Sequence, residues 1–319
     1  MRSGILGGVA GIAETFGWNI VFASAYVVYV TFVSALNPVS GLAWMSAFAA
    51  ATAFVLSRRS PGNLAKLRSA SPALLVVQAA SSAFSFVILF VLLSRENSVS
   101  VLALILIIPV INVLVAAVAF GDAASWVWWA AGFLLCLTGT VGFRSSGTSA
   151  GPTAMTAVVM AVAYVGLSVS SSITRSALTR RGAEAAGVTL VGFASTATLS
   201  FASASAMGLL AIPTLKQTAA LLYLGVVPTA AGAVGFQRVL DRIGYPTAEA
   251  IGMTKPFLGY LFALGLALVG LCPPPQKVNA TQLAGLCAAA VGAAVCVTLG
   301  RPARDERRRQ NLAGKEVKN

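Results

Sequence analysis

Ten runs of about twenty residues, each almost wholly apolar, follow one another through this sequence, and a run of that length crosses the hydrocarbon of a bilayer as a single helix. Their approximate limits are Ile5 to Val27, Val39 to Leu56, Pro72 to Leu93, Ser98 to Ala119 and Trp126 to Phe143. The second five are Pro152 to Ile173, Ala186 to Leu210, Thr218 to Val239, Thr247 to Leu268 and Gln282 to Leu299. A transmembrane barrel needs ten-residue segments of alternating polarity, whereas these runs are continuous. Only 10% of residues are charged, against about a quarter in soluble domains, so a soluble fold is excluded. The first run is too long for a signal-peptide core and contains Glu14, which makes it a true first helix.

Basic residues set the orientation. With the N-terminus in the cytosol, seventeen Lys and Arg fall on the cytosolic side: Arg2, Arg58, Arg59, Lys66, Arg68, Arg175, Arg180, Arg181, Arg238, Arg242 and seven after Gly300. Four fall opposite, namely Arg95, Arg144, Lys216 and Lys277. The formal charge of +13 is therefore explained by topology; spread over short loops, it does not form a nucleic-acid patch. The expected product is an all-α integral membrane protein of ten transmembrane helices, multi-pass, with both termini cytosolic, in the plasma membrane rather than an organelle membrane.

The runs also repeat. Laying Ser94-Arg95 over Asp241-Arg242 brings Pro109 onto Pro256, each in the fourth helix of its half. Five spans per half is an odd number, so the halves are inverted, which is an architecture of secondary transporters. Residues 1–144 form the first five-helix repeat, 145–151 a Gly/Ser/Thr linker, 152–300 the second repeat and 301–319 a basic cytosolic tail. The triplet Asn279-Ala280-Thr281 is a glycosylation sequon in an expected outer loop.

Two ionisable residues lie well inside expected spans, Glu14 and Lys255. A charge at membrane depth costs about 3 kcal/mol on insertion scales, so it persists where it faces protein, water or a ligand. Counted from the span starts, both sit ~12 to 14 Å deep and level with each other. They read as a substrate or proton site of opposite charges, or as a structural ion pair, with a lysine that snorkels to the cytosol as the remaining alternative. Pro256, directly after Lys255, removes a helical hydrogen bond at the same place, and Pro109 and Pro228 are the other expected helix breaks. Among neutral polar residues, Asn19, Gln78, Asn112, Tyr164 and Gln237 rank as candidate substrate contacts above the serines, which usually serve as packing glue in membrane helices. Trp18 either walls a cavity or packs, and Trp126, Trp128 and Trp129 fit an interfacial aromatic belt.

The same reading removes whole classes of chemistry. The chain has no histidine, so histidine-based catalytic dyads, triads and metal sites are excluded, and no catalytic residue, metal or cofactor is expected. Cys136, Cys272, Cys287 and Cys296 lack C-x-x-C spacing and read as packing residues. With no phosphate-binding G-x-x-x-x-G-K-[ST] loop, direct drive by ATP is not supported.

The segment from Tyr223 to Tyr260 resembles the eighth and ninth helices of the drug/metabolite transporter superfamily, in particular its EamA-like members. Tyr223, Leu224, Gly225, Pro228, Arg238, Arg242, Gly244, Ala248 and Pro256 carry the likeness, and Phe120-Gly121-Asp122 is similar to the family's short Gly-acidic turn in the first half. The resemblance implies a bundle whose central cavity is lined by helices one, three, four, six, eight and nine of ten, working by alternating access. Where EamA-like members often carry Glu-Pro, this chain has Lys255-Pro256, which is closer to the nucleotide-sugar and triose-phosphate branch.

The expected function is secondary transport of a small polar or anionic organic solute, with the lipid bilayer as the other partner and no nucleic acid; a homodimer is compatible with the sequence. The alternatives are a nucleotide-sugar or sugar-phosphate exchanger of an organelle membrane, and a non-transporting membrane scaffold of the same fold.

Overall fold

A computed structural model of the chain describes residues 2–58, 71–95, 126–145, 162, 165–166, 184–243, 251–272, 274–275 and 278–299. Among these residues every regular element is a helix. Helix α1 (Arg2–Val28) runs on into a π-helical segment, π1 (Tyr29–Val33), and is followed by α2 (Pro38–Ser57), α3 (Pro72–Arg95), α4 (Trp126–Ser145) and α5 (Ala185–Ala206). Helix α6 (Leu215–Leu224) passes through π2 (Gly225–Ala231) into α7 (Gly232–Ile243), and α8 (Lys255–Leu268) and α9 (Ala280–Leu299) complete the order.

Eight of the expected spans coincide with these helices. The fourth and sixth, 98–119 and 152–173, lie outside the described residues apart from Val162, Val165 and Gly166. Within the described residues, four helical stretches are long and apolar enough to cross a membrane: Ala10–Val33, Pro38–Ser57, Ala185–Ala206 and Leu215–Phe236.

Local sequence explains most of the helix ends. Asn37 accepts the N–H of Val39 at 2.9 Å and Pro38 occupies the first turn of α2, where a missing N–H is harmless. Thr214 and Gln217 form a reciprocal capping box at the start of α6. Asn279 does the same with Gln282 for α9: its Oδ1 accepts the Gln282 N–H at 2.7 Å, so the sequon asparagine is a helix cap. Helices α5 and α8 close on glycines in the left-handed region, Gly208 and Gly270, with the N–H of Leu209 bonded to Ala204 O and that of Leu271 to Leu266 O.

Burial runs opposite to that of a soluble protein. Along α1 the positions Ile12, Phe16 and Ile20 form one exposed apolar face, whereas Thr15, Asn19 and Ser24 are buried. Ser40, Ser46 and Ser57 of α2, Ser82 and Ser85 of α3 and Thr189, Thr196 and Ser200 of α5 are buried as well. A helix surrounded by lipid gains nothing by hiding large apolar side chains, and small polar residues let neighbouring backbones approach closely.

Two cores follow. One joins π1, α2, α3 and α6 through Tyr29, Val33, Leu42, Met45, Phe90, Leu221 and Leu224. The Tyr29 and Phe90 rings lie 4.1 Å apart between centroids. The other joins α4 to α9 around Cys136, Leu286, Ala289 and Ala293, with Met253 beside them. There the approach is so close that a side chain at Gly139 would strike the backbone at Gly285 and Ala289, and one at Gly292 the backbone at Gly132 and Cys136. Cys136 is thus a packing residue, Cys272 lies 3.6 Å from Ala263 O at the end of α8, and Cys287 is exposed. Helix α5 lies along α2, and the segment after it is fastened by Ser40 Oγ, which donates to Leu209 O and accepts from Ala211 N, and by Trp44 Nε1, which donates to Ala211 O.

Candidate functional site

Helix α1 packs against both α7 and α8, and two of the residues it directs at them lie four positions apart, Trp18 and Phe22. Such spacing stacks side chains on one helix face. Opposite Trp18 and Phe22, α7 presents two glycines one turn apart. The Trp18 indole lies so close to Gly235 that a methyl group there would overlap it, and a methyl group at Gly232 would come 2.8 Å from the Phe22 ring. Phe236, next to Gly235, meets Phe22 edge to face at 5.8 Å and 81°. Trp18 therefore packs between α1 and α7, one of the two roles expected of it.

Lys255 enters this cluster from α8. Its half-buried ammonium sits 5.4 Å from the centre of the Phe22 ring, within reach of the negative face of the π-system. The contact is with the ring rather than with the Glu14 carboxylate. Phe22 lies eight residues beyond Glu14, about two turns along α1. Lys255 is the first residue of α8 and Pro256 the second. Pro256 lacks the N–H that would reach Gly252 O, and the chain turns at Met253–Thr254 between two helical stretches, with Thr254 Oγ1 bonded to Ile251 O at 2.8 Å. The interruption is a turn that keeps right-handed backbone geometry, with φ −77° and ψ −12° at Thr254.

Asn19 is fully buried, and neither its Nδ2 nor its Oδ1 meets a hydrogen-bond partner. A buried polar atom left unpaired costs about 1 to 3 kcal/mol. Asn19 and Phe22 are three apart and so are neighbours on the surface of α1. Further along, Ser24 shares a 2.6 Å hydrogen bond with the Tyr223 hydroxyl of α6, and the fully buried Tyr29 hydroxyl in π1 has no partner.

The remaining expected residues divide as follows. Pro228 lies inside π2, where the five-residue hydrogen-bond spacing tolerates an imino acid better than an α-helix does. Gln78 and Gln237 belong to α3 and α7, but their side chains lie outside the described residues, as do Asn112, Tyr164 and Pro109 altogether. Glu14, Asn19 and Lys255 are thus the expected contacts that can be placed, and of these Lys255 lies against Phe22. The parts of the site missed from the sequence are Phe22, Gly232, Gly235 and Phe236. The Trp18-x-x-x-Phe22 spacing and the Gly232-x-x-Gly235 pair were the signals available for them.

No protein-family model and no curated protein matches the chain. Sixteen chains of solved structures match it. One, described only as the crystal structure of a protein, is 19% identical with a TM-score of 0.62, covering 92% of this chain and 98% of its own. At that identity the likeness concerns the fold, which extends over nearly the full length of both chains.

Proposed function

We propose that this chain is a secondary transporter for a small polar or anionic organic solute, built of ten helices in two inverted five-helix repeats with both termini in the cytosol of a plasma membrane. The observation that carries the reading is the half-buried ammonium of Lys255 against the Phe22 ring, at the start of a helix whose second residue is Pro256. A cation kept at membrane depth against an aromatic ring is ready to meet a solute that arrives and leaves. Interrupted helices next to such groups are how transporters of inverted-repeat design build their central sites. The chain has no nucleotide-binding loop, so movement is driven by an ion, an exchanged solute or the solute's own gradient. In alternating access the α1–α7–α8 cluster is exposed to one side of the membrane at a time, and the resemblance to EamA-like drug/metabolite transporters agrees with that scheme.

The test is reconstitution. Purified protein, screened against a metabolite collection by thermal shift, should be stabilised by at least one polar or anionic solute, because a ligand of the native state raises its melting temperature. That solute should then exchange across liposomes. A folded preparation that moves none of the stabilising solutes would contradict the proposal and favour a scaffold. Counterflow driven only by internal phosphate-bearing solutes would identify an exchanger of the nucleotide-sugar or sugar-phosphate type.

A further inference from the structure

Where α5 gives way to α6, residues 207–215 turn five large apolar side chains outward: Met207, Leu209, Leu210, Ile212 and Leu215. Ile212 is 89% and Leu215 88% exposed, and no charged residue occurs from 185 to 215. Turns in water carry Gly, Pro, Asn, Asp and Ser for their polar or permissive backbones, so a turn this apolar calls for another explanation. Its backbone supplies one. Where a loop in water leaves its polar groups to solvent, this one returns several of them to the protein. The N–H of Leu209 bonds to Ala204 O, that of Ala211 to Ser40 Oγ and that of Thr214 to Gln217 Oε1, and Pro213 has no N–H to satisfy. Leu209 O accepts from Ser40 Oγ at 2.6 Å and Ala211 O from Trp44 Nε1 at 3.1 Å. Lipid offers no partner to a backbone group, so a segment that meets it must be paired from within.

The neighbours fix the level of the turn. It joins Ala185–Ala206 to Leu215–Phe236, and its anchors Ser40 and Trp44 stand in the first two turns of Pro38–Ser57. All three stretches are long and apolar enough to cross a membrane, so three such helices end together here, at one face of the bilayer. Lys216 follows at once, exposed, with its ammonium 4.9 Å from the centre of the Phe32 ring. Tryptophan is enriched at the level of the headgroups, and lysines near helix ends extend to that level. We infer that residues 207–215 are a lipid-contact surface: a wedge fastened to α2 that seats Ile212 and Leu215 among the upper acyl chains of one leaflet, with Lys216 at the headgroups. Its partner is phospholipid, and the assignment holds for a transporter and a scaffold alike.

The test uses the full-length protein with its four native cysteines replaced, in phosphatidylcholine nanodiscs, which leave both faces open to added reagents. Ile212→Cys and, separately, Leu215→Cys carry an environment-sensitive nitrobenzoxadiazole label, so that one position still reports should the other variant fail to fold. Emission should be shifted to the blue of the same label on free cysteine, and iodide in the buffer should quench it far less. A phospholipid with a nitroxide high on its acyl chain should quench more strongly than one with the nitroxide at the chain end, as expected for a segment about 5 to 10 Å below the surface. Iodide quenching equal to that of the free label would place the turn in water and overturn the inference. Protection from iodide with no quenching by either nitroxide lipid would overturn it too, since the turn would then be covered by protein, such as a second copy of this chain. Stronger quenching from the chain end would place the turn deep in the hydrocarbon and contradict the assigned level.

Discussion

Gly235 is closed to any larger side chain, whereas Asn19 holds two buried polar atoms that no hydrogen bond satisfies. A methyl group at Gly235 overlaps the Trp18 indole, so Gly235→Ala must displace a large ring from a packed seam, and overpacking of this kind costs about 1 to 3 kcal/mol. Its melting temperature should fall, whereas Gly17→Ala on α1, where nothing lies within 4 Å, should raise it slightly, by about 0.5 to 1 kcal/mol of helix propensity. Equal effects of the two substitutions would contradict the packing described. Asn19→Leu removes two unpaired buried polar atoms and should stabilise the unliganded protein by about 1 to 3 kcal/mol, read as a higher melting temperature. A destabilised, well-packed leucine variant would show that the carboxamide is held by the protein for its own sake. Lys255 and Asn19 were legible in the sequence because a polar residue inside an apolar run stands out. Phe22 and Phe236 were not, because an aromatic residue among apolar neighbours looks the same whether it packs against lipid, helix or cation.

Chemistry punctuates the chain at several helix ends, in signals that the span limits taken from apolar runs did not use. Asn37-Pro38, Thr214-x-x-Gln217, Asn279-x-x-Gln282, Gly208 and Gly270 all mark ends that the structure uses. The π segments were not legible: π1 (Tyr29–Val33) contains no glycine or proline, and its widened turn is set by tertiary packing of Tyr29 and Val33 in the core. Pro228 lies inside π2, through which the helix continues. The bond between Ser24 and Tyr223 ties α1 to α6 shortly before each helix enters its π segment. Tyr223→Phe removes that bond while keeping the ring, and should lower stability by about 0.5 to 1.5 kcal/mol. Ser24→Ala in the same background should add little, because the pair is already broken; additive losses in the double variant would show that the two hydroxyls act separately.

For the whole molecule, hydropathy located eight helices because lipid demands long apolar runs, yet it leaves the order of packing open. Neither the pairing of α4 with α9 through glycine contacts nor that of α2 with α5 follows from apolar periodicity, since helices that are apolar all round carry no inward stripe. Orientation rests on the seventeen-to-four distribution of basic residues. In a background with the four native cysteines replaced, a cysteine at Ser146 or Lys277 should react with an impermeant reagent in sealed cells, and one at Ser60 or Ala183 should not. The opposite pattern would invert the molecule. The account as a whole stands on Lys255 as the group that meets the solute, so the most direct measurement is solute flux and melting temperature of Lys255→Ala in the same liposome preparation. Removing a half-buried charge that has no ion-pair partner among the described residues relieves part of its burial cost, so the variant should fold with an unchanged or higher melting temperature and transport nothing. Full flux through a well-folded Lys255→Ala protein would contradict the account.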